Sequence, residues 1–329
     1  MSYRNRLIES ILQDKLDAMG ALLIEGPKAC GKTTTAEQFA KSKLYMDDPE
    51  QIDQNLQMAS TNIKKLLRGA TPRLIDEWQL APQLWDAIRF DVDHRGGEGL
   101  FILTGSAVPA DVSRISHSGA GRFGWITMRT MSLWESGDSS GEVSLSALFR
   151  GEHDVWASHD TTIDQLAYLI CRGGWPRAVM ARSERSALLQ VGEYYQAITR
   201  SDISRVDNVK RNAERVQRLM RSYSRYQGTQ VAATAIMSDL SANEKTDISL
   251  VTIEGYLSAL RKLFIIEDLP AWNPNLRSRT AIRTSDTRYF ADSSIATTAL
   301  GIGPEDLVND LRTFGLFFET LAIHDLRIY

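Results

Sequence analysis

Long apolar runs and paired cysteines are both missing from this 329-residue sequence. No apolar run approaches the ~18 residues that a membrane-spanning helix needs, and acidic and polar residues interrupt the apolar stretch at residues 7–12, which argues against a secretory signal. The cysteines, Cys30 and Cys171, lie far apart and have neither a CxxC nor a metal-ligand spacing. We therefore expect a protein of a reducing compartment, the cytoplasm, without a membrane partner.

A strong net charge is also missing, since 38 basic residues stand against 41 acidic ones and the formal net charge is −3. The chain as a whole is therefore not a polycation that would bind nucleic acid through bulk charge. A hydrophobic fraction of 43% is typical of a globular protein, and the length is enough for two or three domains with cores of their own.

The strongest motif lies between an apolar stretch typical of a buried strand, residues 21–24, and a predicted helix that begins near residue 34. It has the form GxxxxGKT, and strand, glycine loop and helix in this order are the context of a phosphate-binding loop. Glycines at both ends let backbone N–H groups turn towards a phosphate, and the positive end of the helix adds to that field. The residues predicted to bind the nucleotide are Gly26, Pro27, Lys28, Ala29, Cys30, Gly31, Lys32, Thr33 and Thr34.

Three side chains of this loop have chemistry of their own. Lys32 is predicted to place its ammonium group on the β and γ phosphates, where it also serves catalysis, and the Thr33 hydroxyl to complete the coordination of Mg²⁺. Cys30 has two interpretations, a reactive thiolate or a small loop residue, and the second is favoured. A glycine turn with an incidental lysine is the alternative for the whole motif.

A second element delivers two carboxylates, Asp76 and Glu77, at the end of an apolar stretch that begins at residue 72. Ligands bind at the carboxyl ends of parallel strands, so these carboxylates are expected beside the phosphate loop. Asp76 is predicted to hold Mg²⁺ through water, opposite Thr33, and Glu77 to orient and deprotonate the attacking water. Taken alone, such a pair is explained equally well as a solvated strand end.

Two further residues are candidates for the chemistry. Thr104 lies near the end of another predicted buried strand, where it or Ser106 would sense the γ phosphate or position the water, with a Ser/Gly turn as the alternative. Arg122 follows a flexible glycine-containing stretch that begins at His117, and it is a candidate to stabilise transition-state charge in cis or in trans. An exposed loop arginine is the alternative for Arg122, and His117 is given no chemistry.

The alternation of strands and helices stops near residue 130. Residues 131–207 are predicted to form a helical lid, and residues 208–288 three helices followed by a strand-like stretch at 264–269, which is the order of a winged-helix module. Eight basic residues against three acidic ones lie between residues 200 and 225. Outward-facing groups of the third helix and the arginines after it are predicted to be Thr252, Ser258, Arg261, Lys262, Arg277, Arg279, Arg283 and Arg288.

This basic surface predicts contact with the phosphate backbone of DNA. A solvated basic face, or a docking surface for the first domain, explains the charges as well, and Glu254 on the presumed reading face argues against DNA. Residues 289–329 are predicted to contain one more strand and further helices, with a strand-like pattern beginning again at residue 326. We expect this segment to be the start of an incomplete C-terminal α/β domain.

Together these motifs resemble those of a known family, the predicted AAA-type ATPases of bacteria and archaea that carry a C-terminal domain of unknown function. The match is closest to an actinobacterial-type branch. The stretches that carry the resemblance span nearly all of the chain and are residues 26–36, 72–82, 101–107, 117–122, 131–137, 173–178 and 289–295. The resemblance implies an α/β P-loop NTPase core with a parallel sheet flanked by helices, residues 1–130, then the lid, the winged helix and a nuclease-like domain.

The same resemblance implies ATP or ADP and Mg²⁺ as ligands. It places Lys32 and Thr33 on phosphate and metal, and it makes Asp76 and Glu77 the metal and water pair. Only the first helix of the nuclease-like domain, with Glu319, is expected in this sequence, so we predict no nuclease activity.

Three hypotheses for the function remain open. The favoured one is Mg-dependent ATP hydrolysis that drives a conformational change, with DNA as a candidate partner. The second is a DNA-binding regulator for which the nucleotide is only a switch. The third is an assembly module that forms a homo-oligomer or binds a protein partner without significant turnover.

Overall fold

The computed structural model describes residues 3–106, 118–152, 155–207, 209–245, 247–272 and 285–329. The chain divides into two compact units. The first comprises residues 1–129 and 205–209, and the second comprises residues 130–204 and 210–329.

The first unit is built on one five-stranded parallel sheet with the strand order β2-β3-β4-β1-β5. The strands are β1 Ala21–Glu25, β2 Ser42–Tyr45, β3 Arg73–Asp76, β4 Phe101–Gly105 and β5 Phe123–Thr127. The helices between and before them are α1 Ile8–Ala18, α2 Lys32–Phe39, α3 Ile52–Thr61 and α4 Leu84–Arg95. The strands predicted from the apolar stretches are therefore present, with ends that differ by one or two residues.

Side chains of the central strands alternate between two cores, because successive residues of a strand face opposite sides of the sheet. In β1, Ala21 and Leu23 belong to one buried cluster with α3 and α4, whereas Leu22 and Ile24 belong to another with α1 and α2. The unit is thus a helix–sheet–helix sandwich, which explains why β1 and β4 are apolar without a polar face.

The register of the sheet decides which loops meet. Glu25 at the end of β1 is level with Gly105 at the end of β4, and Asp76 at the end of β3 is level with Thr104. The loop after β1, the carboxylates after β3 and the residues after β4 therefore emerge at one carboxyl edge of the sheet, as the sequence predicts.

In the part of the second unit that the structure describes, the regular elements are helices, joined by loops and a few isolated antiparallel bridges. Its first helices are α5 Leu133–Ser136, α6 Leu145–Phe149, α7 Ile163–Arg172, α8 Pro176–Val179 and α9 Glu184–Ala197. Helix α10, Ile203–Arg205, follows where the chain passes from one unit to the other. The remaining helices are α11 Ala213–Ser224, α12 Ala233–Glu244, α13 Leu250–Lys262, α14 Ser293–Leu300, α15 Pro304–Asn309 and α16 Leu311–Leu326. None of the helices within the described ranges is long and apolar enough to cross a membrane.

Helices α11 to α13 occur in the predicted order, and antiparallel pairing follows them. The predicted strand at residues 264–269 is reduced to isolated bridges, Ile266 with Phe290 and Leu269 with Thr287. Residues 273–284 lie between these paired segments and outside the described residues.

The predicted boundary at residue 289 is not a boundary between compact units. Helix α14 packs against α7, α9 and α11, and α15 packs against α7. Because Ile295, Ala296 and Ala299 are at most 2% exposed, α14 is buried like a core helix and cannot start a separate domain. The predicted strand at residue 326 is also wrong, since the backbone N–H of Ile328 donates to the Asp325 carbonyl at 2.9 Å in a turn.

Candidate functional site

The glycine loop has a backbone that few side chains tolerate. Gly26 and Gly31 have φ of 147° and 107°, and Ala29 also has a positive φ of 63°. A Cβ atom at Gly26 would lie 2.0 Å from the Met128 carbonyl oxygen, so only glycine fits there. This strained loop leads directly into the first turn of α2, as a phosphate-binding loop requires.

Lys32 is buried, with 5% of its surface exposed, and its ammonium group is folded back onto its own loop. Its Nζ atom donates to the carbonyl oxygens of Gly26 at 2.9 Å and Pro27 at 2.8 Å. These are neutral acceptors, so a phosphate with full negative charge would compete well for the same donor. The lysine is therefore in place at the centre of the loop but not committed to a charged partner in the described chain.

Arg6 binds the backbone of the glycine loop, a contact that sequence reasoning missed. It is 5% exposed and donates to the Cys30 carbonyl at 3.0 Å and to the Arg129 carbonyl at 2.9 Å. Helix α1 begins at Ile8, and the residues just before it lie beside the loop. No local pattern indicates this contact, because its partners are 24 and 123 residues away.

Asp76 lies beside the first turn of α2, where it binds two hydroxyl groups. Its Oδ1 atom accepts a hydrogen bond from Thr33 Oγ1 at 2.9 Å and another from Thr104 Oγ1. Burial raises the pKa of the Asp76 carboxyl, and the bonds from Thr104 and Thr33 act in the opposite direction. The strand end after β3 is thus joined to the glycine loop through a carboxylate and a hydroxyl.

A magnesium ion fits this donor set. Thr33 and Asp76 offer one hydroxyl and one carboxylate oxygen, which are hard ligands of the kind that Mg²⁺ prefers. The residues that the structure describes contain no group of three or more His, Cys, Asp or Glu side chains able to hold a metal by themselves. A site with few protein ligands is typical of Mg²⁺ that is shared with substrate phosphates.

Glu77 follows Asp76 in a left-handed backbone conformation, with φ 52° and ψ 42°. Burial, and after it the charge of Asp76, raises the pKa of the Glu77 carboxyl. Its Oε2 atom accepts hydrogen bonds from Gln79 Nε2 and from Ser106 Oγ, the latter at 3.4 Å. Sequence reasoning considered Ser106 but missed Gln79.

The structure brings most of the predicted site together. The loop residues, Asp76, Glu77 and Thr104 all lie at the carboxyl edge of the sheet. Thr104 differs from its predicted role, because the residue is only 1% exposed and its hydroxyl donates to Asp76. It therefore orients the predicted metal ligand rather than facing a phosphate or water.

Arg122 lies at the wrong edge of the sheet for an action on its own loop. Its carbonyl oxygen accepts from the backbone N–H of Ala21 at 3.0 Å, at the amino ends of β1 and β5. At ~3.3 Å per residue, the length of β1 separates this edge from the glycine loop by about 13 Å. The guanidinium group instead binds Asp93 at 2.8 Å. The sequence leaves action in cis and in trans both open; this position argues against action in cis, and a role in trans stays a prediction.

Cys30 is fully buried under the loop, and its Sγ atom lies 3.5 Å from the Met128 carbonyl oxygen. A buried thiol that packs against backbone is a small structural residue, which is the interpretation that the sequence favours. His117 lies outside the described residues.

Two of the basic residues counted between residues 200 and 225 form ion pairs with acidic residues outside that range, so the net positive charge of this surface is lower than the linear sequence indicates. Arg221 binds Glu244 at 3.2 Å, and Arg225 binds Asp239 at 2.6 Å, both acidic groups belonging to α12. On the presumed reading helix α13, Arg261 binds Asp268 at 2.6 Å. Further predicted contacts, those of Arg277, Arg279 and Arg283, lie outside the described residues.

Comparison with known families agrees with this geometry. Residues 19–136 match the AAA domain family, and residues 163–306 match a domain of unknown function, DUF8612. Residues 19–136 are therefore similar to an AAA domain, and their parallel sheet and glycine loop match the P-loop NTPase fold.

Individual relatives are distant. Uncharacterized proteins of Mycobacterium tuberculosis and Mycobacterium bovis are each 24% identical over 297 residues, a match that covers 88% of this chain and 58% of theirs. The chain therefore spans less than two thirds of the length of these relatives. A Walker-type ATPase of Pyrococcus abyssi has a similar fold, with a TM-score of 0.52 and 15% identity over 90% of this chain and 96% of that one.

Proposed function

We propose that this protein binds ATP with Mg²⁺ at residues 26–34 and hydrolyses it, and that the cycle drives a conformational change. The observation that supports this best is the pairing of Thr33 with Asp76 at 2.9 Å, next to the buried ammonium group of Lys32. A phosphoryl-transfer site needs a cationic cradle, a metal and a base, and residues suited to each part lie at one sheet edge.

Each step is assigned to a side chain of this site. Lys32 exchanges its bonds to the Gly26 and Pro27 carbonyls for bonds to the β and γ phosphates. Thr33 and Asp76 would hold Mg²⁺, which when bound neutralises charge on the phosphate oxygens. Glu77 orients the attacking water and accepts its proton, and the raised pKa of its carboxyl makes it a stronger base once ionised.

Two substitutions separate binding from turnover. Lys32→Ala removes a charge-assisted bond and should weaken ATP binding by about 10- to 100-fold in calorimetry, because such bonds contribute about 1.5–3 kcal/mol. Glu77→Gln should bind ATP normally and lower phosphate release by about 100-fold or more. Lys41→Ala, which removes an exposed lysine just after α2, is the matched control and should change neither. Normal phosphate release by Glu77→Gln would refute the assigned base.

DNA binding by the module predicted at residues 208–288 is a second candidate function. It is supported by the order of three helices followed by antiparallel pairing, and by exposed Ser258 and Lys262 on α13. The ion pair of Arg261 with Asp268 would have to open or point its remaining donors at DNA. Duplex binding measured by fluorescence anisotropy should weaken steeply with salt and should weaken further in Lys262→Ala. DNA binding that changes neither with salt concentration nor with the Lys262→Ala substitution would show that α13 does not contact DNA.

A further inference from the structure

The sequence Asp76-Glu77-Trp78-Gln79 ends in an amide that folds back onto the predicted catalytic base. Gln79 Nε2 donates a hydrogen bond to Glu77 Oε2. We propose that Gln79 is a positioning residue, which turns the Glu77 carboxylate so that its other oxygen accepts the proton of the attacking water. The inference rests on the proposed hydrolysis of ATP.

The hydrogen bonds of Glu77 explain this division of labour. Both side-chain donors that reach it in the described chain, Gln79 Nε2 and Ser106 Oγ, end on Oε2. A carboxylate with one oxygen engaged in this way has a fixed plane and presents Oε1 in a defined direction. Proton transfer depends on such orientation, because a base must lie within hydrogen-bond reach of the water.

The backbone brings the two side chains together. Glu77 has a left-handed conformation, and a single 3₁₀ turn, Trp78–Leu80, follows it. The backbone N–H of Leu80 closes this turn on the Glu77 carbonyl at 3.1 Å. Trp78 is 3% exposed and lies against Trp85 with ring centroids 5.2 Å apart, so the turn is anchored in the core.

Gly105 at the end of β4 makes room for the amide. A Cβ atom at this position would lie 2.7 Å from Gln79 Oε1 and 3.2 Å from Trp78 Nε1. Gln79 Oε1 is buried and meets no donor among the described residues, so nothing there fixes the orientation of the amide. The Glu77 carboxylate fixes the orientation of the Gln79 amide, because a flipped amide would place Gln79 Oε1, an acceptor, against Glu77 Oε2, another acceptor.

Substitution of Gln79 tests the catalytic consequence. Gln79→Met keeps the length without the N–H donor, and Gln79→Glu keeps the shape but places an acceptor against Glu77. Both should lower kcat by about 10- to 100-fold, since small misplacement of a catalytic group costs up to ~10²-fold, while the Kd for ATP stays unchanged. Gln13→Met is the matched control, because Gln13 also donates to a carboxylate, Asp17 at 2.8 Å, on the exposed face of α1.

Gly105→Ala tests the same contact from the other side. The added methyl group should displace the Gln79 amide and reduce kcat in the same way. Because both changes break one contact, the double variant Gly105→Ala, Gln79→Met should be no slower than the slower single variant. Gly192→Ala is the control, since a methyl group there would contact no described residue within 4 Å other than the backbone of its own helix. Multiplicative effects of the two changes would contradict the shared contact.

A nuclear magnetic resonance measurement tests the bond without turnover. The side-chain amide signal of Gln79, assigned by its loss in Gln79→Met, should move upfield in Glu77→Gln as its charged acceptor disappears. A signal that does not move would overturn the inference. So would wild-type kcat in both Gln79 variants, with the proposed hydrolysis intact. A wild-type protein that binds ATP but releases no phosphate would instead contradict the proposed function, and the amide signal would still decide whether Gln79 holds Glu77.

Discussion

Asp76 in the first unit and Asp292 in the second are both buried aspartates, but their partners differ. Asp292 is 2% exposed, and both its oxygens are in use: Oδ1 accepts from the backbone and hydroxyl of Ser294, and Oδ2 accepts from Thr130 Oγ1 at 2.6 Å and Gly174 N at 2.9 Å. The two hydroxyl donors of Asp76 share a single oxygen, Oδ1.

The difference is the one expected between a structural carboxylate, Asp292, and the proposed metal-binding carboxylate, Asp76. Both oxygens of the buried Asp292 carboxylate accept two hydrogen bonds each, so this side chain serves to hold loops together. Through these bonds Asp292 connects the motifs at residues 173–178 and 289–295 within the second unit. Among the residues that the structure describes, Asp76 accepts side-chain hydrogen bonds at Oδ1 alone, and the nearby Lys32 donates to two neutral carbonyls. Such groups can exchange these partners for a metal ion and a phosphate. Burial of a charged group therefore does not indicate function by itself, whereas incomplete satisfaction beside a strained loop does.

The same substitution, Asp to Asn, should affect the two carboxylates differently, and the largest expected effect is a loss of stability at Asp292. Asp292→Asn puts an NH₂ group against existing donors and should lower the free energy of unfolding by about 2 kcal/mol, since buried donors lose a charged acceptor. Urea denaturation followed by tryptophan fluorescence measures this. Unchanged stability would mean that the network around Asp292 is not structural.

Asp76→Asn should do the reverse. Its Oδ1 atom can still accept from Thr33 and Thr104, so the variant should be as stable as the wild type or more stable. The Mg²⁺-dependent part of ATP binding should be weakened, because a neutral amide attracts the ion, or a water molecule bound to it, less than a carboxylate does. Calorimetry with ATP in Mg²⁺ and in EDTA would show it, and an undiminished Mg²⁺ effect would exclude Asp76 from holding the ion.

The pH dependence of stability sharpens the same comparison. Since burial raises the pKa of Asp76 above the unfolded value, the folded state holds its proton more tightly, and stability falls as pH rises from the unfolded pKa through the folded one. The Asp76→Asn variant has no carboxyl to titrate at this position and so lacks this loss. The difference in the free energy of unfolding, variant minus wild type, should therefore increase between the unfolded and the folded pKa of Asp76 and should be constant below the unfolded pKa. Urea titrations at several pH values test this, and an opposite slope would contradict the burial effect.

The smallest effect is expected for Arg122→Ala. The side chain of Arg122 is 44% exposed and its ion pair with Asp93 lies at the amino edge of the sheet, so stability and single-chain turnover should not change measurably. Phosphate release assayed over a range of protein concentrations checks this. A loss that appears only at high concentration would assign Arg122 a role in trans.

Much of the proposed nucleotide site can be predicted from the sequence because local rules fix it. The glycine loop needs only a strand before it and a helix after it, and the parallel-sheet rule places Asp76 and Glu77 at the same edge. The same rule explains why the position of Arg122 argues against action in cis: a residue directly before a parallel strand lies at the amino edge, away from a loop that follows another strand.

Other contacts depend on tertiary structure and could not be predicted. Arg6 reaches Cys30 and Arg129 through the fold, and the bond from Gln79 to Glu77 needs a left-handed residue followed by a 3₁₀ turn. In the second unit, the expected excess of positive charge is reduced by Asp239 and Glu244, which lie beyond the counted stretch of sequence. The apolar character of α14 indicates burial but not which helices cover it.

The most direct test of the account is isothermal titration of the wild-type protein with ATP in the presence of Mg²⁺, beside the Lys32→Ala variant. The account predicts one ATP bound per chain in the wild type and strongly weakened binding in the variant. No binding to the wild type, or equal binding to both proteins, would contradict the claim that the glycine loop of the first unit holds a nucleotide.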